Sequence, residues 1–476
     1  MLDAVGVESS APEQLSREAS GDVSELLDST EAGGRIMRGG VLRFGTYVLM
    51  VALSVLSAAL LTRHLGVVRF GEYTTVISLV GIVASITDSG MSAVGTREFA
   101  ISQGAARDAL MRDLLGLRML LTSIGVLAVA GFAVAAGYDA ALLVGAILAS
   151  LGTIALVVQH THAIPIATGL RLGTLSSLEL TRQVLTVAAI VVLVRLGAGV
   201  LALLAVALAV NLVLIPPTAA LARHQISLRI GLRPRRWPAL MRLAVPFSLA
   251  AAVGTIYIFT AQILTSMVSS AHQSGLFAAS FRVFIVIATV PSLLAGGALP
   301  LLARAARDDR ERLDYALQRI FEVSLILGVA AALATLGGAH WVIDVVAGPE
   351  YAGSVSVLQI QGVALVASFV LGGWSFALLS LERYKGLLLA NLAAFLTSAS
   401  LTIVLAAGHG ARGAAVATVC GECVLALGSL LALTHAIWRG ASPIGPEASL
   451  QKPRCQRQRL PPPAITTLSK ELIGGK

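Results

Sequence analysis

The chain has 476 residues, of which 56% are hydrophobic and only 13% charged, with a formal net charge of +9. A soluble globular chain carries roughly 25% charged residues, so a chain this apolar takes the bilayer as its solvent, and a large soluble helical protein is excluded. The positive charge is almost all arginine and stands in short stretches beside apolar runs, which is a membrane pattern and not a nucleic-acid-binding face.

Residues 1–34 are polar and acidic, without a long apolar stretch, and read as a disordered cytoplasmic tail. A secretory leader would begin with positive charge and a short apolar core. The first apolar run here, Val41–Leu61, is long enough to span a membrane, and Arg35, Arg38 and Arg43 in front of it hold its start in the cytoplasm. Further spans are expected at Tyr73–Gly95, Leu114–Ala136, Leu142–Ala163, Leu175–Leu196 and Val200–Ala222. A basic linker at 223–242 follows, holding Arg223, Arg229, Arg233, Arg235, Arg236 and Arg242. A second set covers Leu243–Val268, Leu276–Leu302, Ile320–Val346, Val355–Leu381, Leu387–Ala407 and Gly413–Trp438. The last stretch, 439–476, is basic and proline-rich and reads as a second disordered cytoplasmic tail.

Charge places the loops. Arg97, Arg107, Arg112, Arg171, the linker arginines, Arg304, Arg307, Arg310, Arg312, Arg319, Arg383 and Lys385 fall on one side of this map. The other side holds Arg63, Arg69, Arg195 and Arg412. The bias keeps its sign to the end of the chain, so both termini are expected in the cytoplasm of a bacterial plasma membrane.

The two sets repeat one another. Gly71, in Arg69-Phe70-Gly71-Glu72-Tyr73, opens the second span; Gly275, in Gly275-Leu276-Phe277, opens the eighth, 204 residues later. The charged segment Arg97–Arg112 has its counterpart at Arg304–Arg319. The expected fold is therefore an all-α polytopic membrane protein of about 12 helices. Two parallel six-helix bundles, 35–222 and 243–438, would be related by a pseudo-two-fold axis along the membrane normal, with a pathway between them.

Several segments carry a family resemblance. Leu65-Gly66-Val67-Val68-Arg69-Phe70-Gly71-Glu72-Tyr73, Asp88-Ser89-Gly90 with Arg97-Glu98, Pro246, the stretch Gly275–Arg304 with Arg282, Pro291 and Pro300, and Gly348-Pro349-Glu350-Tyr351 stand in order on successive spans. Together they resemble the polysaccharide (O-unit) flippases of the multidrug/oligosaccharidyl-lipid/polysaccharide exporter superfamily, over about Gly34 to Arg439. The resemblance implies movement of a polyprenyl phosphate- or pyrophosphate-linked oligosaccharide to the outer leaflet by alternating access. It also implies glycosyltransferases or a glycan polymerase as partners. The chain departs from the related lipid II flippases, which carry several arginines in their first two spans. Here none stands between Arg43 and Arg63, Arg282 alone matches a cavity arginine of that group, and two extra C-terminal helices are missing.

A lipid-linked glycan has hydroxyls and an anion that are costly to bury, so ionisable residues inside spans mark its path. Arg282, on the eighth span, is the candidate substrate-binding residue, because a guanidinium fork suits phosphate oxygens; its bland alternative is an arginine snorkelling to the interface. Asp88, Arg97 and Glu98 are a candidate inner gate, against ordinary helix-end polarity. Glu179 and Arg182, three residues apart, share a helix face and fit an ion pair better than a substrate site. Glu322 and Glu422 would carry a coupling proton if buried, with packing or pairing as the plainer role. Cys420 and Cys423 fit small packing residues. His160 and His162 lie on opposite sides of their helix and do not converge on a metal. Pro165, Pro216, Pro217, Pro291 and Pro300 suit kinks or helix ends.

No cofactor is called for. Short outer loops speak against a membrane glycosyltransferase, polymerase or ligase, and no phosphate-binding loop with its lysine is present for an ATP-driven pump. A multidrug exporter of the same superfamily and a non-transporting scaffold for glycan enzymes remain as rivals.

Overall fold

The computed structural model describes residues 30–88, 90–168, 172–222, 231, 237–291, 310–380 and 384–440. The expected tails fall almost wholly outside these residues, as do most of the basic linker and the stretch 292–309 with Pro300, Arg304 and Arg307. The chain divides into two compact units, Met1–Leu53 and Ser54–Lys476. In the first, the described residues form one helical stretch from Thr30; all other elements belong to the second.

Among the described residues every regular element is helical. In chain order they are α1 (Thr30–Asp88), α2 (Met91–Ile101), α3 (Gly104–Ala135), α4 (Ala140–Thr168), α5 (Leu172–Arg195) and α6 (Val200–Ala222). They continue with α7 (Trp237–Val268), α8 (Ala271–Ala288), α9 (Arg310–Val346), a 3-10 turn (Pro349–Tyr351), α10 (Gly353–Ser380) and α11 (Tyr384–Gly440). Nine of the described helices are long and apolar enough to cross a membrane, with Ala252–Val268 a shorter apolar stretch. This is an all-α multi-pass membrane protein.

Two of the helices exceed one crossing. The apolar part of α1 runs 41 residues and that of α11 runs 51, whereas about 20 residues span a hydrocarbon core. Each is broken at one glycine: Gly66 has φ 69° and ψ 175°, and Gly410 has φ 57° and ψ −136°. Both lie in backbone regions that side chains strongly disfavour. The sequence places several residues of connection between Leu61 and Tyr73, and between Ala407 and Gly413. The structure confines each break to its glycine, with helix resuming at once, so the signature after Gly66 is itself helical. At the other end of the second arm, Gly90 (φ 71°) separates α1 from the short helix α2.

Lipid tails are as apolar as leucine, so helix association in a bilayer relies on close packing, which small residues allow. The main buried cluster follows that rule. Ala339, Ala364, Ala406, Ala414 and Ala415 are fully buried among Phe70, Phe277, Leu358 and Tyr351. Asn211 on α6 reaches the Gly152 carbonyl of α4 at 3.1 Å, where a Cβ on Gly152 would meet the Leu208 backbone nitrogen at 2.9 Å. Pro165 sits inside α4, and Pro216 and Pro217 inside α6. The outward faces carry exposed Leu127, Ile326 and Leu431, with Trp341 near a helix end, as a lipid-facing surface with an interfacial aromatic would.

Candidate functional site

Residues 54–222 and 237–440 meet closely at the end of the helices that holds Gly66. The Tyr351 hydroxyl donates to the Thr62 carbonyl at 3.3 Å, and the Thr62 hydroxyl donates to the Val346 carbonyl at 3.1 Å. The Arg63 guanidinium donates to the carbonyls of Asp344 and Val345 at 3.1 and 2.7 Å. Phe70 meets Tyr351 edge-on, with ring centroids 6.3 Å apart. Between them, the second arm of α1 crosses α8 backbone to backbone at Gly71 and Gly275. A Cβ on Gly71 would stand 2.7 Å from the Gly275 nitrogen, and one on Gly275 would collide with the Val67 carbonyl.

A cavity of about 780 Å³ lies beyond this crossing, lined by the second arm of α1, α7, α8, α10 and both arms of α11. Thr74 and Ala278, one turn past the two glycines, line it. Gln262 is buried on its wall. Its Nε2 donates to the Ser274 hydroxyl at 2.9 Å and the Thr75 hydroxyl at 3.3 Å, while its Oε1 has no partner among the described residues.

Arg282 faces into this cavity from α8, two turns beyond Gly275. Phe281 beside it stacks on Phe277 and Phe284, with centroids 5.1 and 5.8 Å apart. One guanidinium nitrogen donates to the Ser54 hydroxyl at 2.8 Å, and among the described residues no carboxylate forms an ion pair with it.

Glu422 lines the same cavity from the second arm of α11 and is only 9% exposed. The Tyr257 hydroxyl donates to its Oε1 at 2.9 Å and the Ser368 hydroxyl to its Oε2 at 2.6 Å. Both donors are neutral, and among the described residues no cation pairs with the carboxyl. The cavity thus presents a guanidinium and a carboxyl, each held by neutral hydroxyls.

A separate charged cluster gathers in residues 54–222. Arg118, fully buried on α3, forms an ion pair with Asp88 at the end of α1. It also donates to the hydroxyls of Ser92 on α2 at 2.9 Å and Thr161 on α4 at 3.2 Å. The Ser92 hydroxyl donates to Asp88 at 2.6 Å, and His160 stands 3.5 Å from the same carboxyl. Arg118 therefore spans the helix break at Gly90, fastening both sides of it to α3 and α4.

The remaining sequence candidates lie apart. Arg97 is exposed on α2 and Glu98 half-buried beside it, while Arg107 covers the Phe99 ring at 4.2 Å. Glu179 and Arg182 pair on α5. Glu322 is paired with Arg319 at 3.0 Å and accepts from Gln318 at 2.9 Å on an exposed face of α9. Arg118 is absent from the sequence candidates, although a lone arginine inside the expected span Leu114–Ala136 was the available signal. Tyr257, Ser368 and Gln262 carry no such signal, since their roles come from residues far along the chain.

The chain matches known proteins in two comparisons. It resembles the solved structure of the lipid II flippase MurJ in an inward closed conformation, with TM-score 0.71 and 11% identity, over 83% of this chain and 87% of that one. It resembles an inward-facing multidrug resistance MATE family transporter of the MOP superfamily, with TM-score 0.65 and 14% identity, over 85% of this chain and all of the other. A MOP superfamily transporter from Pyrococcus furiosus matches with TM-score 0.56 and 15% identity, over 84% and 95%. No curated protein matches. The family model described as "Polysaccharide biosynthesis protein" matches residues 60–356, and with more than half of its length so matched, the chain belongs to that family.

Proposed function

We propose that this chain, a membrane transporter with the fold of the MOP superfamily, carries a polyprenyl phosphate- or pyrophosphate-linked oligosaccharide across the membrane by alternating access. The observation that carries the reading is the cavity of about 780 Å³, closed at the Gly71–Gly275 crossing and holding Arg282 without a carboxylate partner among the described residues. An arginine inside a membrane span is costly unless it meets water or an anion; Arg282 is exposed on the cavity wall, and the phosphate end of such a lipid is an anion suited to its fork. The cavity is of the size that holds a headgroup, leaving the lipid tail to the bilayer.

In this reading there are 12 crossings, reached by dividing α1 and α11 at their glycines and counting Ala252–Val268. The bundles are 35–222 and 243–438, joined by the linker 223–242, with both tails in the cytoplasm of a bacterial plasma membrane. The Gly66 end faces outward, so the described state is closed to the outside. Enzymes that build or polymerise the glycan are its partners. Membership of a polysaccharide biosynthesis family and likeness to a flippase fold support this reading.

One observation favours a second reading, a multidrug exporter: Glu422 lies buried beside Tyr257, in a cavity also lined by Phe259, Phe281 and Phe284, and a cationic aromatic drug would suit that wall. Reconstitution separates them. Purified protein in vesicles should move a fluorescent short-chain polyprenyl diphosphate sugar between leaflets, and should move no cationic dye. Dye transport without lipid movement would replace the flippase with the exporter.

A further inference from the structure

We propose that Glu422, held by Tyr257 and Ser368, is the subsite that reads the sugar part of the substrate, and that it selects neutral sugars over acidic ones. The proposal rests on the flippase reading and deepens it. Two side chains of opposite chemistry stand on the cavity wall: Arg282 on α8, and Glu422 on the second arm of α11. A diphosphate sugar is itself polarised, with its charge at the lipid-proximal phosphates and hydroxyls beyond them. Arg282 attracts the phosphates, and an ionised Glu422 repels them.

At Glu422 each carboxyl oxygen receives one hydroxyl, from Tyr257 at 2.9 Å and Ser368 at 2.6 Å. A carboxylate oxygen has room for more than one donor, so capacity remains for sugar hydroxyls. Tyr257, Phe281 and Asn391 also line the cavity, supplying aromatic residues against which a sugar ring can pack and an amide side chain. A uronic acid in the same place would set a second carboxylate against Glu422 where the dielectric is low. In its ionised form Glu422 repels such a carboxylate strongly, and among the described residues no cation pairs with it to offset this. Specificity here comes from a built-in repulsion as much as from attraction.

The test uses the full chain in vesicles and two fluorescent short-chain polyprenyl diphosphate probes, one bearing N-acetylglucosamine and one bearing galacturonic acid. The wild-type protein should flip the neutral probe faster by about tenfold or more, the ratio that 1.4 kcal/mol of discrimination gives. Glu422→Gln keeps the shape and one accepting oxygen but not the charge, with the amide NH2 donating where a carboxyl oxygen accepted, and should bring the ratio close to one. Tyr257→Phe, which leaves the carboxylate in place, should keep a preference for the neutral probe. Equal rates in the wild type, or an unchanged ratio in Glu422→Gln, would overturn the sugar subsite while the flippase reading stands. An unchanged ratio together with lost dependence on a proton or sodium gradient would make Glu422 a coupling residue instead. Failure of the wild type to flip either probe would overturn the flippase reading and the subsite with it.

Discussion

Gly71 and Gly275 lie where the second arm of α1 and α8 cross backbone to backbone: a Cβ on Gly71 would fall 2.7 Å from the Gly275 nitrogen, and one on Gly275 would collide with the Val67 carbonyl. The approach closes the cavity at that end, and only residues without a side chain permit it. Gly275→Ala sets a methyl group against the Val67 carbonyl, which is backbone and yields little. We expect this variant to part the helices at the crossing. A cysteine placed at Ala278 in a cysteine-free background should then react faster with a membrane-impermeant maleimide added from the Gly66 side. Unchanged labelling would show that the crossing is not the seal.

Arg282 supplies the sharpest expectation for transport. Arg282→Ala removes the charge and the fork, and should stop export of surface glycan while the protein still inserts. Arg282→Lys keeps the charge without bidentate geometry and should retain part of the activity. Arg282→Glu should be as poor as alanine or worse. The measurement is surface glycan per cell, normalised to protein in the membrane fraction. Export at the wild-type level in Arg282→Ala would make this arginine an interfacial anchor and remove the cationic cavity as a mechanism.

The all-helical, membrane-spanning architecture is legible in the sequence because apolar length and arginine placement are local signals. The one-residue breaks at Gly66 and Gly410 are less so, since a glycine in an apolar run reads equally as packing or as a turn. The cavity is harder still. Glu422 stands out as an ionisable residue in a span, but Tyr257 is 165 residues away and Ser368 is 54. The sequence singles out Asp88 yet sets it beside Arg97 and Glu98, its neighbours in the chain. In space its partner is Arg118 from α3, because the break at Gly90 turns the chain away after Asp88.

The turn before α4 offers a test outside the membrane spans. Asp139 caps the helix: its Oδ1 accepts from the Leu142 N–H at 2.8 Å, and its Oδ2 accepts from Arg69 at 3.3 Å. The Leu142 N–H, with Arg69 adding to it, holds the Asp139 carboxyl below its usual range. A depressed carboxyl contributes stability above its unfolded-state value and loses it as pH falls through the lowered folded value. Asp139→Ala should therefore lower stability by the order of 1 kcal/mol that a lost helix cap costs, read as a lower thermal midpoint in detergent, and Asp139→Asn should lower it less. The gap between wild type and Asp139→Asn should narrow in acid, below the ordinary aspartate range. A gap that is constant with pH would show that the charge of Asp139 contributes nothing.

Asp88 and Arg118 should behave as a unit. Arg118 is fully buried, and its partners are Asp88, Ser92 and Thr161, drawn from three helices. Removing one member of a buried pair leaves the other charge uncompensated, a loss of about 3–5 kcal/mol, whereas replacing both is often near neutral. Asp88→Asn alone should therefore lower the thermal midpoint and the amount of folded protein in the membrane. Arg118→Met alone should do the same to a smaller degree, because Asp88 is partly exposed and His160 stands 3.5 Å from it. The double variant should recover most of the stability. Transport then separates two roles for the cluster. If it only packs the helices, the double variant should flip lipid at close to the wild-type rate. If the pin across Gly90 has to break and re-form as the second arm of α1 moves, the stable double variant should bind substrate and fail to turn over. Additive losses in the double-mutant cycle would show that the two residues are not coupled, and would dissolve the pin.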